Sequence, residues 1–246
     1  MQGLPDFLTN LIIEYKAKNK HKYMPKLTRE TREENKEHIE EAAKQLFIRH
    51  GFHGTSIRLI AAKANVSLGN LYNYYKTKED ILQSIINKYE LIINTKLKEI
   101  FDDIDEPLLP DNLIKFGKKV QILVAEHYEF WLLMYIDVLE FQNRHCRKMF
   151  ENLAERLNNR FYNHFQDLKE NKLINEGIDP SIGFTIAYLQ FFNYFLIEKL
   201  FGGNYHLSIN HDEAIINISE LFYRAIFHPN ALEKLRINIC IWEQKR

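Results

Sequence analysis

The sequence predicts an all-α fold, and three observations carry that reading. Only 6 prolines and 9 glycines are spread over 246 residues, which leaves room for long uninterrupted elements. Between these breaks the apolar residues recur at intervals of three and four, the period of one helix face, rather than alternately as in a strand. Hydrophobic residues make up 46% and charged residues 27%, with 33 basic against 33 acidic. That is the balance of a chain with a core, not of a disordered one. A chain of this length buries one substantial core or two small ones.

Taken in order, Phe7, Leu8, Leu11, Ile12 and Tyr15 have helical spacing, so a short amphipathic helix is expected over 5–20, ended by Pro25. A basic segment follows: Lys16, Lys18, Lys20, Lys22, Lys26, Arg29 and Arg32 face only Glu30, which suits either a solvated arm or an electrostatic footprint for nucleic acid. From Thr31 a helix carries Ile39, Ala42, Ala43, Leu46 and Phe47 on one face. Glu33, Glu34 and Glu37 sit near its start, where the helix dipole favours acids, and Gly51 supplies its stop. Thr55 or Ser56 can cap a second helix with Ile57, Ile60, Ala61 and Ala64, and Asn65 ends it by tolerating the left-handed conformation. Ser67 caps a third, short and tyrosine-rich helix. Lys76-Thr77 breaks the chain before a fourth, Lys78 to Phe101. After the interruption at Asp102 to Asp111, helices are expected near 113–127, 129–145, 147–173, 182–200 and 212–227, then a tail with a further short helix to about Trp242.

The segment LGNLYNYY, residues 68–75, asks why a protein would place so many tyrosines in one short helix. Two short helices joined by a tight turn match a helix-turn-helix, in which the second helix enters the major groove of DNA. Leu71 and Tyr75 share one face and should pack inward. Tyr72, Asn73 and parts of Asn70 and Tyr74 then turn outward, where a phenol can donate to phosphate and an asparagine can bond the edge of adenine. Gly69 lets the backbone approach DNA closely. The same spacing would also serve a seam between a small helix and its neighbours, and periodicity does not decide between the two.

The ordered string does. The run EEAAKQLFIRHGFHGTSIRLIAAKANVSLGNLYNYYKTKEDIL resembles the DNA-binding domain of the TetR family of bacterial transcriptional regulators. The resemblance rests on Ala42-Ala43, Leu46-Phe47, Gly51-Phe52, Thr55-Ser56, Ile60-Ala61, Val66-Ser67, Gly69 to Tyr75, Lys78-Glu79 and Ile81-Leu82. It covers roughly a fifth of the chain, and the remainder agrees in length and helical character only. Asn65 stands where a turn glycine is usual, Tyr75 where phenylalanine is, Leu59 where a polar residue is common, and Asn70 where Thr, Ser or Ala is often found. The resemblance implies DNA contact by Thr55, Gly69, Asn70, Tyr72, Asn73, Tyr74 and Lys78. It divides the chain into an N-terminal extension with a basic arm (1–30), a three-helix DNA-binding domain (31–78), a larger helical effector-binding and dimerisation domain (79–227) and a C-terminal extension (228–246).

One helix-turn-helix reads few base pairs, so a homodimer on a pseudopalindromic operator in double-stranded DNA is expected. The candidate interface is the helix of residues 182–200, with Phe184, Leu189, Phe192, Phe195 and Leu196 apolar almost all round, and the last helix with Leu221 and Phe222. A helix apolar on so many faces must bury more than one side; packing within one subunit is the alternative, and the family's dimer favours the interface. His127, Trp131, Tyr135, Asp137 and Glu140 combine rings with polar tips, the mix that orients a small organic effector. Trp131 and Tyr135 could equally be plain core. The phenylalanine and tyrosine content points to an apolar or aromatic effector.

Other classes fare worse. Cys146 and Cys240 are far apart and suggest neither a disulfide framework nor a zinc site, which fits a reducing, cytoplasmic setting. The N-terminus lacks the pattern of a secretory signal, and the uncharged stretch from Pro180 to Ile197 is short for a bilayer span. There is no phosphate-binding glycine loop, nucleophile elbow or HExxH motif, so neither an enzyme nor a cofactor is expected, and Glu126, His127 and Glu129 diverge too far around a helix to hold a metal with His145. The expectation is a dimeric DNA-binding regulator, a repressor by resemblance, released by a small ligand. The alternatives are a constitutive DNA-binding regulator or a helical protein-interaction module.

Overall fold

The computed structural model describes residues 29–151, 153–202, 207–229 and 231. The expected helix over 5–20, the basic residues Lys16 to Lys26 and the tail helix to Trp242 lie outside them. The described elements are α1 (Arg29–His50), α2 (Ile57–Lys63), α3 (Leu68–Tyr72), α4 (Lys78–Asp102), α5 (Pro110–Glu126), α6 (Tyr128–Phe141), a 3-10 turn (Arg147–Met149), α7 (Leu153–Arg160), α8 (Tyr162–Glu170), α9 (Pro180–Leu200) and α10 (His211–Ile226). Among the described residues the only strand-like pairing is an isolated bridge between Ile174 and Phe227.

Local chemistry sets the boundaries of the first four helices. Gly51, at φ 72°, stops α1. The Ser56 hydroxyl accepts from the Leu59 amide and caps α2; Thr55, the other candidate, turns inward instead. At the far end Val66 N–H donates to Ala61 O and Asn65 N–H to Ala62 O, the paired bonds of a Schellman closure. Asn65 takes the left-handed position at φ 56° in place of glycine. Ser67 caps α3 by accepting from the Asn70 amide. Thr77 and Asp80 form a reciprocal capping box at the start of α4, which satisfies two otherwise orphaned amides.

Downstream, two expectations are corrected. The helix from 129 ends at Phe141, short of 145, because Gln142 and Asn143 both take positive φ (55° and 61°). The single helix expected over 147–173 is instead a 3-10 turn followed by α7 and α8, with Phe161 between them at φ −113° and ψ 21°. An apolar spacing that continues in register does not reveal such a step, since Leu157, Phe161, Phe165 and Leu168 stay buried across it.

Burial separates two cores. The first gathers Ile39, Ala43 and Phe47 of α1, Ile60 of α2, Leu71 of α3 and the first turns of α4 through Ile81, Leu82, Ile85 and Ile86. The second holds the later part of α4, from Ile93 to Ile100, with α5, α7, α8, α9 and α10. Helix α6 enters both: Leu133 packs in the first core, and Phe130 and Trp131 in the second. Gly117 lets α5 lie against α9 and α10 at close range; a Cβ there would stand 2.8 Å from the Phe191 ring and 3.0 Å from Ile215.

Candidate nucleic-acid interface

Helix α3 is held from beneath and open above. Leu71 is fully buried, and the next apolar anchor is Tyr75, whose ring lies in the same core. The Tyr75 hydroxyl donates to the Glu40 carboxylate at 2.5 Å, and Ser84 donates to the same oxygen at 2.7 Å. A tyrosine where phenylalanine is usual therefore ties α3 to α1 and α4. Burial and then the Glu40 carboxylate hold its phenol well above the ordinary tyrosine value.

On the open side Tyr72 is 49% exposed, Asn73 is exposed and Asn70 half-buried. A Cβ on Gly69 would meet nothing within 4 Å, so the α3 backbone is bare at that turn. Tyr74 is half-buried, and its hydroxyl is buried with no hydrogen-bond partner among the described residues. Arg58, Lys63 and Lys76, at the borders of α2 and α3, are exposed cations. Leu59 presents an apolar side chain, 41% exposed, on α2.

Thr55 and Lys78 do not stand where the resemblance implies. Thr55 is buried, and its hydroxyl donates to Leu46 O at 3.1 Å and Gly51 O at 2.9 Å. The Lys78 ammonium donates to Phe52 O at 2.6 Å and Thr55 O at 2.7 Å and lies over the Phe52 ring at 4.1 Å. Burial lowers its pKa, against the pull of Glu140. Both side chains close the turn between α1 and α2; neither reaches outward. The bend that joins α1 to α2 leaves backbone carbonyls that need donors, and Thr55 from within the bend and Lys78 from the start of α4 supply them.

The five residues expected around an effector do not converge. Asp137 is buried and accepts from the backbone amides of His145 and Cys146 and from the His145 ring. Burial, with Asp137 close by, pushes the Cys146 thiol up to about 12. The Glu140 carboxylate accepts the amides of Phe52 and His53, each at 2.9 Å. Trp131 is core, edge-on to Phe192 at 4.9 Å. Tyr135 is 40% exposed, and His127 lies beside Tyr89 at the junction of α5 and α6. Asp137 thus ties the chain that follows α6 back to its own helix, and Glu140 ties α6 to the turn between α1 and α2. No sequence signal could have found the Glu140 contact, which spans 88 positions. A cavity of about 520 Å³ does open elsewhere, lined by Phe150, Leu153, Ala154, Glu155, Thr185 and Leu189.

The residues expected at a dimer interface divide. Phe184, Phe192, Phe195 and Leu196 are buried in the subunit's own second core, which corrects their assignment. Leu189 and Phe222 are half-buried and Leu221 is exposed. Helices α9 and α10 run antiparallel, with Gly183 near Ile226 and Glu198 near His211. Their outer sides expose Ile182, Ile186, Ile197 and Leu221.

A Ser-capped helix, seated on a buried leucine and turned outward with Gly, Asn and Tyr after a seven-residue helix and a Schellman turn, defines the helix-turn-helix class of DNA-binding folds. Residues 39–85 match the family model for bacterial regulatory proteins, tetR family, so that this segment is similar to the DNA-binding part of that family. An HTH-type transcriptional regulator of Staphylococcus aureus, SAUSA300_2515, is 35% identical over 75 residues, 30% of this chain and 40% of that protein. The chain thus spans well under two thirds of the length of the curated relatives it matches. A protein of Mesorhizobium loti described as a TetR-family transcriptional regulator has a similar structure, with a TM-score of 0.58 and 21% identity, covering 82% of this chain and 100% of that one. A Clostridium perfringens protein described as a fatty acid metabolism regulator has a TM-score of 0.55 and 25% identity, covering 78% and 99%. Among the described residues no helix is long and apolar enough to cross a membrane, and no three His, Cys, Asp or Glu side chains are grouped to hold a metal.

Proposed function

We propose that this chain is a transcriptional regulator that reads a pseudopalindromic operator as a homodimer and is released from it by a small apolar ligand. The observation that carries the reading is the open face of α3: Gly69, Tyr72 and Asn73 stand clear of the protein, while Leu71 and Tyr75 fasten the helix below. In this reading Asn70, Tyr72 and Asn73 meet base edges and phosphates, and Arg58, Lys63 and Lys76 supply phosphate contacts at the flanks. Thr55 and Lys78 hold the turn that aims α3. The DNA-reading unit runs past residue 78, since the first turns of α4 share its core.

Dimerisation is assigned to the outer sides of α9 and α10, where Ile182, Ile186, Ile197 and Leu221 expose apolar surface of the kind that a partner helix pair covers. The effector is assigned to the cavity beside Phe150 and Leu189, whose lining is apolar except for Glu155 and Thr185. The Thr185 hydroxyl already donates its proton to Ser181 O, so Glu155 is the one charged group of the lining. A second reading, a regulator without an effector, draws on one observation: Asp137 and Glu140 are already committed to hydrogen bonds within the protein.

The test is selection of a binding sequence from a random DNA pool, followed by salt-titrated binding of wild type and Tyr72→Ala. Each lost phosphate contact lowers the slope of log affinity on log salt by about 0.9. A selected palindrome whose binding falls at least tenfold in Tyr72→Ala upholds the assignment. No enrichment, or binding indifferent to Tyr72, refutes it.

A further inference from the structure

Helix α6 is fastened along α1 at both ends. Near its start Glu129 pairs with the Lys44 ammonium at 2.5 Å. Burial works to lower that lysine's pKa, but Glu129, Glu41 and Tyr89 outweigh it and hold it above the ordinary value. Near its end Glu140 accepts from Phe52 N–H with one carboxylate oxygen and from His53 N–H with the other. These are charge-assisted bonds to two consecutive amides that follow α1 and have no helical partner. Approach this close depends on Gly51, at φ 72°, where a Cβ would lie 2.9 Å from the same carboxylate.

The residue so held is gripped from two sides. Phe52 gives its N–H to Glu140 of α6 and its carbonyl to Lys78 of α4, and its ring packs edge-on against Phe141 at 4.6 Å. Four residues later Ser56 begins α2. On its other side α6 carries Trp131 into the body's core against Phe192, and Phe192 in turn stands 6.2 Å from Phe150 of the cavity. A shift of α6 larger than the Glu140 side chain can follow must either break both bonds to the turn or carry the turn with it. Hydrogen bonds of this length tolerate a shift of only a few tenths of an ångström.

We propose that Glu140 is a positioning residue for DNA reading: its carboxylate sets the α1–α2 turn, and through it the seating of α2 and α3, from a helix shared with the body's core. The proposal rests on the reading of α3 as the DNA-reading helix. It adds a point of control on the turn itself, on the side opposite the grip of Lys78 from α4.

The test compares full-length wild type, Glu140→Gln and Tyr72→Ala in two measurements. Glutamine keeps one acceptor but points an NH₂ toward the second amide. The first measurement is affinity for the selected operator and for a random-sequence duplex of equal length; the second is hydrogen–deuterium exchange of peptides covering residues 47–60, 67–75 and 79–90. The expected result for Glu140→Gln is an operator affinity lowered about tenfold, the equivalent of about 1.4 kcal/mol, with random-duplex affinity unchanged. Exchange should quicken through 47–60 and 67–75 and stay as in wild type over 79–90. Wild-type operator affinity in Glu140→Gln, or equal losses on both duplexes, would overturn the proposal. If wild type itself prefers no sequence, the DNA reading fails and exchange alone decides: quickening that spreads to 67–75 upholds Glu140 as the positioning group, and quickening confined to 47–60 reduces it to a local cap.

Discussion

Lys78 is the residue on which two accounts of this protein differ most sharply, and replacing it with alanine separates them. The resemblance to the family makes Lys78 a phosphate contact; the structure gives its ammonium to Phe52 O and Thr55 O and lays it over the Phe52 ring. Hydrogen bonds from a charged donor contribute about 1.5–3 kcal/mol each. Phe52 O keeps a second bond, from the Thr55 amide at 3.2 Å, and the half-buried site admits water to the freed carbonyls. Replacement by alanine should therefore cost about 2 kcal/mol rather than the full sum, and lower Tm by about 4–8 °C for a chain of this size. Operator affinity should fall because the turn loosens, yet the salt slope should change by much less than the 0.9 expected for a lost phosphate contact. Thermal unfolding and salt-titrated operator binding measure the two quantities. Unchanged Tm together with a slope lower by about 0.9 would show that the ammonium leaves the turn for the DNA backbone, and the positioning role would be wrong.

Two further outcomes follow from the packing. Gly117→Ala gains about 1 kcal/mol of helix propensity but forces a methyl to 2.8 Å from the Phe191 ring, and overpacking of that kind costs about 1–3 kcal/mol. Urea unfolding should find a net loss, and a more stable variant would contradict the close approach of α5 and α9. In acid, His164 and His127 should weaken the fold. Burial lowers both pKa values, against Glu106 and Asp167 for His164 and against Glu126 for His127. The unfolded chain therefore takes up protons first, near pH 6.5, and stability falls as pH drops from there toward the lowered folded values. Each histidine contributes at most about 1.4 kcal/mol per pH unit in that window, and the half-buried His127 less, because solvent screens it. His164→Gln should flatten the dependence of Tm on pH between 7 and 5, and an unchanged dependence would mean that His164 charges freely in the folded protein.

The helix-turn-helix was legible because its signals are local. Ser67 three residues before the amide it caps, Asn65 at the left-handed position, and Thr77 with Asp80 are contacts within one turn of chain, so residue type and spacing nearly determine them. Leu71 and Tyr75 face inward for the same reason, and the outward side of α3 follows from them. The body resisted that reading. Phe184, Phe192, Phe195 and Leu196 have the composition of an interface, but whether an apolar side chain meets its own subunit or a partner depends on what lies opposite, and α5, α7 and α10 come from distant parts of the chain.

Charged and polar side chains on α6 make the same point. From the sequence, Asp137 and Glu140 are acids one turn apart on an aromatic helix, a pattern that suits a ligand site as well as it suits anything else. Their partners, the amides of residues 145 and 146 and of residues 52 and 53, are fixed only when the chain folds back on itself. A buried carboxylate must find donors wherever packing brings them. The sequence by itself determined the helical class, the turn chemistry of the first four described helices and the open face of α3, since these are set by neighbours along the chain. Tertiary structure alone decided that α6 belongs to two cores and that Lys78 and Glu140 hold a turn, because hydrogen bonds across 23 to 88 positions depend on which surfaces meet.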